Sequence, residues 1–152
     1  MAKREVRVFL DSNVILSGLI SDKAAPRLIL DLLCHDLPVL RAATGQYNLE
    51  EIQRVISRKL PAILPDFRDF MTRMHIEIVP LPEKRKLAPY RGMIKDDDLP
   101  VLVSAIEFGA DYLVTGDKKH FRGPRGRADI PLRICSPSEF IDILSTAIRK
   151  LD

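Results

Sequence analysis

The stretch DDDLPVLVSAIEFGADYLVTGDKKHF, residues 96–121, decides the fold of this chain. Its first half has apolar residues at helical spacing and predicts a helix that ends at Gly109, a residue suited to a left-handed cap. Residues 111–115 then predict a short strand, and Asp117 comes just after its end. A helix that leads into a short apolar strand is typical of a parallel sheet covered by helices.

Strands and helices continue to alternate through the rest of the chain. Strands are predicted at residues 6–10, 38–42, 75–80, 111–115 and 132–135, with a loop that begins at Asp11. Helices are predicted at residues 25–35, 49–60, 66–74, 99–108 and 137–149, and Ser136 and Glu139 form a capping box at the start of the last one. The order βαβααβαββα predicts a single α/β domain over residues 1–152, with a mostly parallel sheet of about five strands flanked by helices.

The composition is that of a soluble globular protein. The chain has 152 residues, of which 46% are hydrophobic and 30% are charged, and this length is sufficient to bury one core. No apolar stretch approaches the roughly 18 residues of a membrane span, and the charged start is unlike a signal peptide. The two cysteines, Cys34 and Cys135, lie in apolar surroundings and are expected to be reduced. We therefore expect a cytoplasmic protein without a membrane segment.

Four acidic residues carry most of the functional information. They lie just after predicted strands or near the starts of predicted helices: Asp11, Glu51, Asp98 and Asp117. Residues at the carboxyl ends of parallel strands converge on one crevice. Carboxylates gathered there repel one another unless a cation joins them, and oxygen ligands suit Mg²⁺ or Mn²⁺. The pattern predicts a metal site.

The first two acids have to be separated from structural roles. Asp11 follows a buried strand, where a ligand role is favoured over a simple turn or cap, and we expect Asn13 to orient Asp11 or a metal-bound water. Glu50 precedes Arg54 by four residues and suits an exposed ion pair. Glu51 lies at the margin of the apolar face, which slightly favours Glu51 for the site.

The sequence around Asp117 indicates a site residue more directly than the sequence around Asp98 does. Asp98 closes the triplet of residues 96–98, and acids at a helix start also complement the helix dipole, so Asp97 remains the fallback for this position. Asp117 ends the sequence TGD at a strand end that leaves room for close backbone approach. The hydroxyls of Thr44 and Thr115 are candidate partners for these acids.

These segments together resemble the PIN-domain ribonucleases, which include the VapC-like toxins. The matching segments are VFLDSNVILSGL, LEEIQRVISRKL, DDDLPVLVSAIEFGADYLVTGDKKHF and the closing CSPSEFIDIL. The resemblance extends from about Val6 to Leu144, nearly the whole chain. The family's E-x-x-x-V pattern maps onto Glu51, and its spacing back from Gly109 selects Asp98.

The resemblance implies a function. PIN nucleases hydrolyse RNA and leave a 5′-phosphate and a 3′-hydroxyl. In the two-metal form, carboxylates hold ions roughly 4 Å apart that activate a water and stabilise the leaving oxygen. Asp11 and Asp117 are then the principal ligands, and Glu51 and Asp98 complete the site. The same resemblance suggests a homodimer and a toxin whose antitoxin is a separate chain.

Two basic segments flank the acids, although the net charge is only +3. One is residues 84–95, before Asp98, and the other follows Asp117. The second segment holds the residues that we expect to bind the RNA backbone: Lys118, Lys119, Arg122, Arg125 and Arg127. Its position beside a carboxylate cluster suits a polyanion whose phosphate must reach bound metals.

Other functions fit the sequence less well. The segment FLDSN is similar to the strand end of haloacid-dehalogenase-like phosphohydrolases, but Asn13 replaces their second acid. A PIN fold kept only for RNA or protein binding is the other alternative, and the full acid set argues against it. The three histidines do not cluster in sequence, and the chain has no phosphate loop of the type G-x-x-x-x-G-K-[ST].

Overall fold

The structure is a computed structural model that describes residues 5–124, 127 and 129–150. It contains one sheet of five parallel strands in the order β3-β2-β1-β4-β5. The strands are β1 (Val6–Leu10), β2 (Leu40–Gly45), β3 (Ile76–Val79), β4 (Tyr112–Val114) and β5 (Arg133–Cys135). The predicted α/β class, with a parallel sheet of about five strands, is therefore confirmed.

Helices cover both faces of this sheet. The α-helices among the described residues are α1 (Ser12–Ile20), α2 (Ala25–Leu33), α3 (Gln46–Lys59), α4 (Leu64–Arg73), α5 (Lys84–Leu87), α6 (Leu99–Phe108) and α7 (Pro137–Arg149). Short 3₁₀ turns occupy Pro61–Ile63, Ala88–Tyr90, Asp96–Asp98 and Lys118–Phe121. Helix α6 ends at Gly109 in the left-handed conformation, and the capping box of Ser136 and Glu139 opens α7, both as predicted.

The sheet separates two apolar cores. On β1, Val8 and Leu10 pack into the larger core with side chains of α1, α2, α3, α4 and α7. Phe9 points the other way, into a core built on α6. This alternation is the ordinary period of a strand that is buried on both faces, and it holds the carboxyl end of β1 at the centre of the sheet.

Helix α1 takes the place of the loop that we expected after Asp11. Its apolar residues Val14, Ile15 and Leu19 are all buried, and they do not leave a clear polar face that would mark a helix in the sequence. Helix α2 packs closely on it, since a Cβ added to Gly18 would lie 2.5 Å from a methyl carbon of Leu30. Tertiary packing therefore stabilises a helix that the local pattern does not announce.

Strand β2 also differs from the prediction, because it begins and ends later than residues 38–42. It includes Thr44 and Gly45, which are typical turn residues. Thr44 is fully buried, and its hydroxyl donates to the backbone carbonyl of Leu10 at 2.8 Å. This bond satisfies a polar group that burial would otherwise penalise.

Two expectations from composition concern the membrane and the cysteines. Among the described residues, no helix combines the length and apolar character needed to cross a membrane. Cys34 follows α2 and Cys135 ends β5, and the two are not joined by a disulfide.

Candidate active site at the carboxyl edge of the sheet

Asp11 lies directly after β1, where it continues the sheet and caps α1. Its backbone N–H donates to the carbonyl of Val114 on β4 at 3.0 Å. One carboxylate oxygen accepts from the backbone N–H of Ser12 at 2.7 Å and from the Asn48 amide at 3.3 Å. The other oxygen accepts from the hydroxyl of Thr115 at 2.9 Å. Donors from three chain segments therefore fix this carboxylate.

The environment of Asp11 disfavours its negative charge. Burial raises the pKa of Asp11 from its ordinary value of 3.8 to about 6. Hydrogen bonds from Thr115 and Ser12 act in the opposite direction because they stabilise the charged form. The nearby negative charges of Glu51 and Asp98 raise the pKa further. A cation placed beside Asp11 would remove both the desolvation cost and the repulsion.

Thr115 connects Asp11 to Asp117. Its side chain is fully buried, and its hydroxyl donates to Asp11. The same oxygen accepts from the backbone N–H of Asp117 at 3.1 Å and from the Asn13 amide at 3.4 Å. Thr115, which the sequence marked as a hydroxyl partner, thus fixes the backbone of the TGD segment relative to the carboxylate of Asp11.

Asn13 contacts the TGD segment and not the carboxylate of Asp11. Its amide oxygen accepts from the backbone N–H of Gly116 at 2.9 Å, and its amide nitrogen donates to Thr115. Any effect of Asn13 on Asp11 therefore passes through Thr115. The side-chain oxygen of Asn13 already accepts the backbone N–H of Gly116. This bond leaves less room for the expected contact with a metal-bound water.

Glu51 lies on the side of α3 that faces the other acids. Its charge raises the pKa values of Asp11 and Asp98. Glu50 instead lines a surface depression on α3 together with Arg54. The structure therefore brings Glu51, and not Glu50, into the electrostatic environment of the acid cluster.

Asn48 is a site residue that the sequence did not single out. It is fully buried, and its amide donates to the hydroxyl of Ser12 at 2.8 Å as well as to Asp11. It precedes Glu51 by three residues, so the two share one face of α3. This spacing is the signal that would have found it. Asn48 attaches the helix that carries Glu51 to the carboxylate of Asp11.

Asp98 is the member of the acid triplet that belongs to the cluster. Its side chain is 21% exposed, whereas the residues at positions 96 and 97 are exposed. Burial raises the pKa of Asp98, the neighbouring His120 opposes this change, and the negative charge of Glu51 adds to it. The 3₁₀ turn that precedes α6 places Asp98 at the helix start, with Pro100 in the first turn.

His120 lies between two of the acids. Its Nε2 is 3.1 Å from a carboxylate oxygen of Asp117, and its Nδ1 is 3.7 Å from one of Asp98. Sequence reasoning set the histidines aside because they do not cluster with one another. The i,i+3 spacing from Asp117 was the available signal, but the contact with Asp98 depends on the fold.

The basic residues after Asp117 fall into two groups. Lys118 donates to Glu139 of α7 at 2.7 Å, and this contact, together with hydrogen bonds from Ser136, lowers the pKa of Glu139 to about 2. Arg127 pairs with Asp129 at 2.8 Å. Lys119 and Arg122 are exposed and have no ion pair with another described residue. Arg125 lies outside the described residues.

The donor set fits a hard divalent cation in its chemistry. Asp11, Glu51, Asp98 and Asp117 supply carboxylate oxygens, the ligands that Mg²⁺ and Mn²⁺ prefer, and burial leaves Asp11 poorly compensated. Within the described ranges, however, no three His, Cys, Asp or Glu side chains are grouped to hold a metal ion. The acids would therefore have to move closer together to share one cation.

The sequence matches the family model described as PIN domain over residues 7–119. No curated protein matches it. Similar solved structures include VapBC2 from Rickettsia felis bound to a DNA fragment from their promoter, VapBC-1 from nontypeable Haemophilus influenzae, and DNA-bound VapBC from Salmonella typhimurium.

These structures are similar to the chain over most of its length. The Rickettsia structure is 20% identical, covers 86% of this chain and 98% of its own, and has a TM-score of 0.60. The corresponding values are 16%, 88%, 99% and 0.57 for the Haemophilus structure, and 16%, 87%, 98% and 0.63 for the Salmonella structure. At these identities the likeness shows the fold.

Proposed function

Because the chain belongs to the PIN domain family, we propose that it is a ribonuclease that hydrolyses RNA phosphodiester bonds with Mg²⁺ or Mn²⁺ as cofactor. The observation that carries the proposal is the state of Asp11. This carboxylate is held rigidly at the carboxyl end of β1, and burial together with neighbouring acids raises its pKa to about 6. A buried acid that is rigidly held but electrostatically uncompensated suits a cation site.

Four carboxylates would hold the metal. Asp11 and Asp117 are the proposed principal ligands, and Glu51 and Asp98 complete the site directly or through water. When bound, the cation supplies the Lewis acidity that activates a water and stabilises the leaving oxygen of the scissile phosphate. The chain's own residues orient the acids: Thr115 and Asn48 hold Asp11 by hydrogen bonds.

The remaining polar contacts position Asp117 and the turn that follows it. Asn13 and Thr115 fix the backbone that carries Asp117. The ion pair between Lys118 and Glu139 ties the turn after Asp117 to α7. Exposed basic residues beside the cluster are suited to bind the phosphates of the RNA strand.

We also propose that the chain is the toxin of a toxin–antitoxin pair and acts as a homodimer. The likeness of the fold to the VapBC structures supports the toxin–antitoxin part of this proposal. The antitoxin would then be a separate protein that binds the folded toxin. Growth arrest on expression of the wild-type chain, absent with Asp117→Asn, is the expected result. Equal growth with both chains would contradict the toxin assignment.

The test of the ribonuclease is a cleavage assay on a mixed RNA pool, with Mg²⁺ or Mn²⁺ titrated against an EDTA blank. We expect metal-dependent fragments with a 5′-phosphate and a 3′-hydroxyl, and no fragments from Asp117→Asn. RNA binding without cleavage at any metal concentration would identify a binding module instead. A covalent phosphate trapped on Asp11 would restore the phosphohydrolase alternative.

A further inference from the structure

Two exposed basic segments meet beside the acid cluster. Lys95 precedes Asp98 by three residues, and Lys119 follows Asp117 by two. His120 contacts both of these acids. The two lysines therefore belong to segments that flank the same acid cluster. The segments are more than 20 residues apart in sequence, and the fold brings them together.

The contact between the segments is made by their backbones at Gly123 and Met93. A Cβ added to Gly123 would lie 2.0 Å from the carbonyl oxygen of Met93, far inside the van der Waals distance. Only glycine therefore allows this approach. Phe121 also joins the two segments. Its ring is 1% exposed and lies in the apolar core against which Met93 and Tyr90 pack.

A tight turn fixes the first segment at the contact. Arg91 is extended, with φ −61° and ψ 141°, and Gly92 follows with φ 83°. The backbone N–H of Met93 donates to the carbonyl of Tyr90 at 3.2 Å. These values describe a type II turn. Arg91 in this turn is exposed, and the carbonyl oxygen of Met93, the last residue of the turn, lies against Gly123.

The basic side chains at this contact have no ion pair with another described residue, although Lys95 lies close enough to Asp98 to lower the pKa of that acid. Arg91 and Lys95 on the first segment and Lys119 and Arg122 on the second are exposed. None of the four has an ion pair with another described residue, whereas Lys86, Lys118 and Arg127 each have one. Exposed cations on both sides of an acid cluster are suited to attract a chain of phosphates.

We infer that these four residues form one phosphate-binding surface for the RNA strand, and that the Gly123–Met93 contact sets its geometry. The identity of the polyanion rests on the proposed function. The strand would pass from the Lys95 side to the Lys119 side with the scissile phosphate over the acids. The ring of Phe121 is buried and is not available to stack on bases, and the four charged side chains are suited to contact phosphates.

Charge variants test the surface. The affinity of a fluorescein-labelled, random-sequence single-stranded RNA is measured by anisotropy in EDTA at several salt concentrations. Lys95→Gln and Lys119→Gln should each reduce the slope of log affinity against log salt by about 0.7, and the double variant by about 1.4. Arg133→Gln is the control. This exposed arginine is the first residue of β5 and lies at the amino ends of the strands, whereas the acids lie at the carboxyl ends. Wild-type slopes in both single variants would overturn the surface.

A backbone variant tests the contact. Gly123→Ala keeps every charge but forces the two segments apart, and we expect it to weaken RNA binding about as much as the double charge variant does. Its thermal unfolding temperature shows whether it is folded. A folded Gly123→Ala with wild-type affinity and slope would overturn the role of the contact.

Adding Mn²⁺ to the same samples separates this inference from the proposed function. RNA binding with the expected slopes but no cleavage would reject the ribonuclease and keep the surface. Cleavage by wild-type protein with unchanged slopes in the charge variants would keep the ribonuclease and reject the surface.

Discussion

The inner and outer halves of the acid cluster are held in different ways. Asp11 in the inner half accepts hydrogen bonds at 2.7 to 3.3 Å from donors on Ser12, Asn48 and Thr115, all of which are at most 2% exposed. In the outer half, Asp98 and Asp117 meet a partly exposed histidine at 3.7 and 3.1 Å, and their side chains are 21% and 32% exposed.

This difference suggests a division of roles. The inner carboxylate is fixed by buried donors, so its position is set before any ligand binds. The outer carboxylates have solvent and a histidine as neighbours, so they can adjust. A cation would then meet one rigid ligand and draw the adjustable ones toward it.

Loss of a carboxylate from either half should abolish cleavage. We expect Asp11→Asn and Asp117→Asn each to reduce the rate by well over the roughly 100-fold that is typical for residues that only support a metal ligand. Both should remain folded in circular dichroism and thermal unfolding. Metal-dependent cleavage that survives in both variants would reject the site.

The burial of Asp11 in the inner half should make the stability of the protein depend on pH. The pKa of Asp11 in the folded protein, about 6, is above its ordinary value of 3.8. The stability from this group is therefore fully present below pH 3.8 and is lost as the pH rises through 6, by on the order of 3 kcal/mol.

Urea unfolding of the metal-free protein measures this loss. We expect Asp11→Asn to become more stable relative to wild type as the pH rises from 4 to 7. A constant difference between wild type and Asp11→Asn across this range would show that Asp11 is not strained by its burial.

Thr115 holds both Asp11 and the backbone of Asp117, so its hydroxyl should matter for stability and for activity. Thr115→Val leaves the partners of its hydroxyl unsatisfied, so we expect a loss of about 1–3 kcal/mol in unfolding free energy and an activity loss of about 10- to 100-fold. Thr44→Val, at a buried hydroxyl that does not touch the acids, is the control and should lose stability alone.

His120→Gln should affect the outer half without unfolding the protein. We expect weaker Mn²⁺ binding, by about 10-fold, in calorimetric titration, with an unchanged unfolding temperature. His75→Gln is the control, because His75 is exposed and lies at the start of β3. Equal Mn²⁺ affinity in the His120 variant and in wild type would remove His120 from the site.

The smallest expected difference separates the two glutamates of α3. Glu51→Gln should reduce cleavage by about 10-fold or more, whereas Glu50→Gln should leave the rate close to that of wild type. Initial rates at saturating Mn²⁺ measure both. A larger loss of rate in Glu50→Gln than in Glu51→Gln would show that the other face of α3 contributes to the site.

The sequence predicted those features of the site that lie next to regular elements. Asp11 and Asp117 follow apolar strands, so local patterns locate both. Local spacing favours Glu51 only slightly over Glu50, and the family resemblance selects it. The sequence missed α1 because its buried residues leave no polar face. It also missed Asn48 and His120 as site residues, since their contacts join segments that only the folded sheet brings together.

We propose that a divalent cation relieves the electrostatic repulsion within the acid cluster, and a thermal unfolding experiment tests this proposal. The unfolding temperature at pH 7.5 is followed as Mn²⁺ is added, for wild type, Asp11→Asn and the control Glu50→Gln. Binding to the folded state alone raises stability with ligand concentration, so we predict a rise for wild type and for Glu50→Gln and little or none for Asp11→Asn. An equal rise in all three proteins, or none in wild type, would contradict the claim.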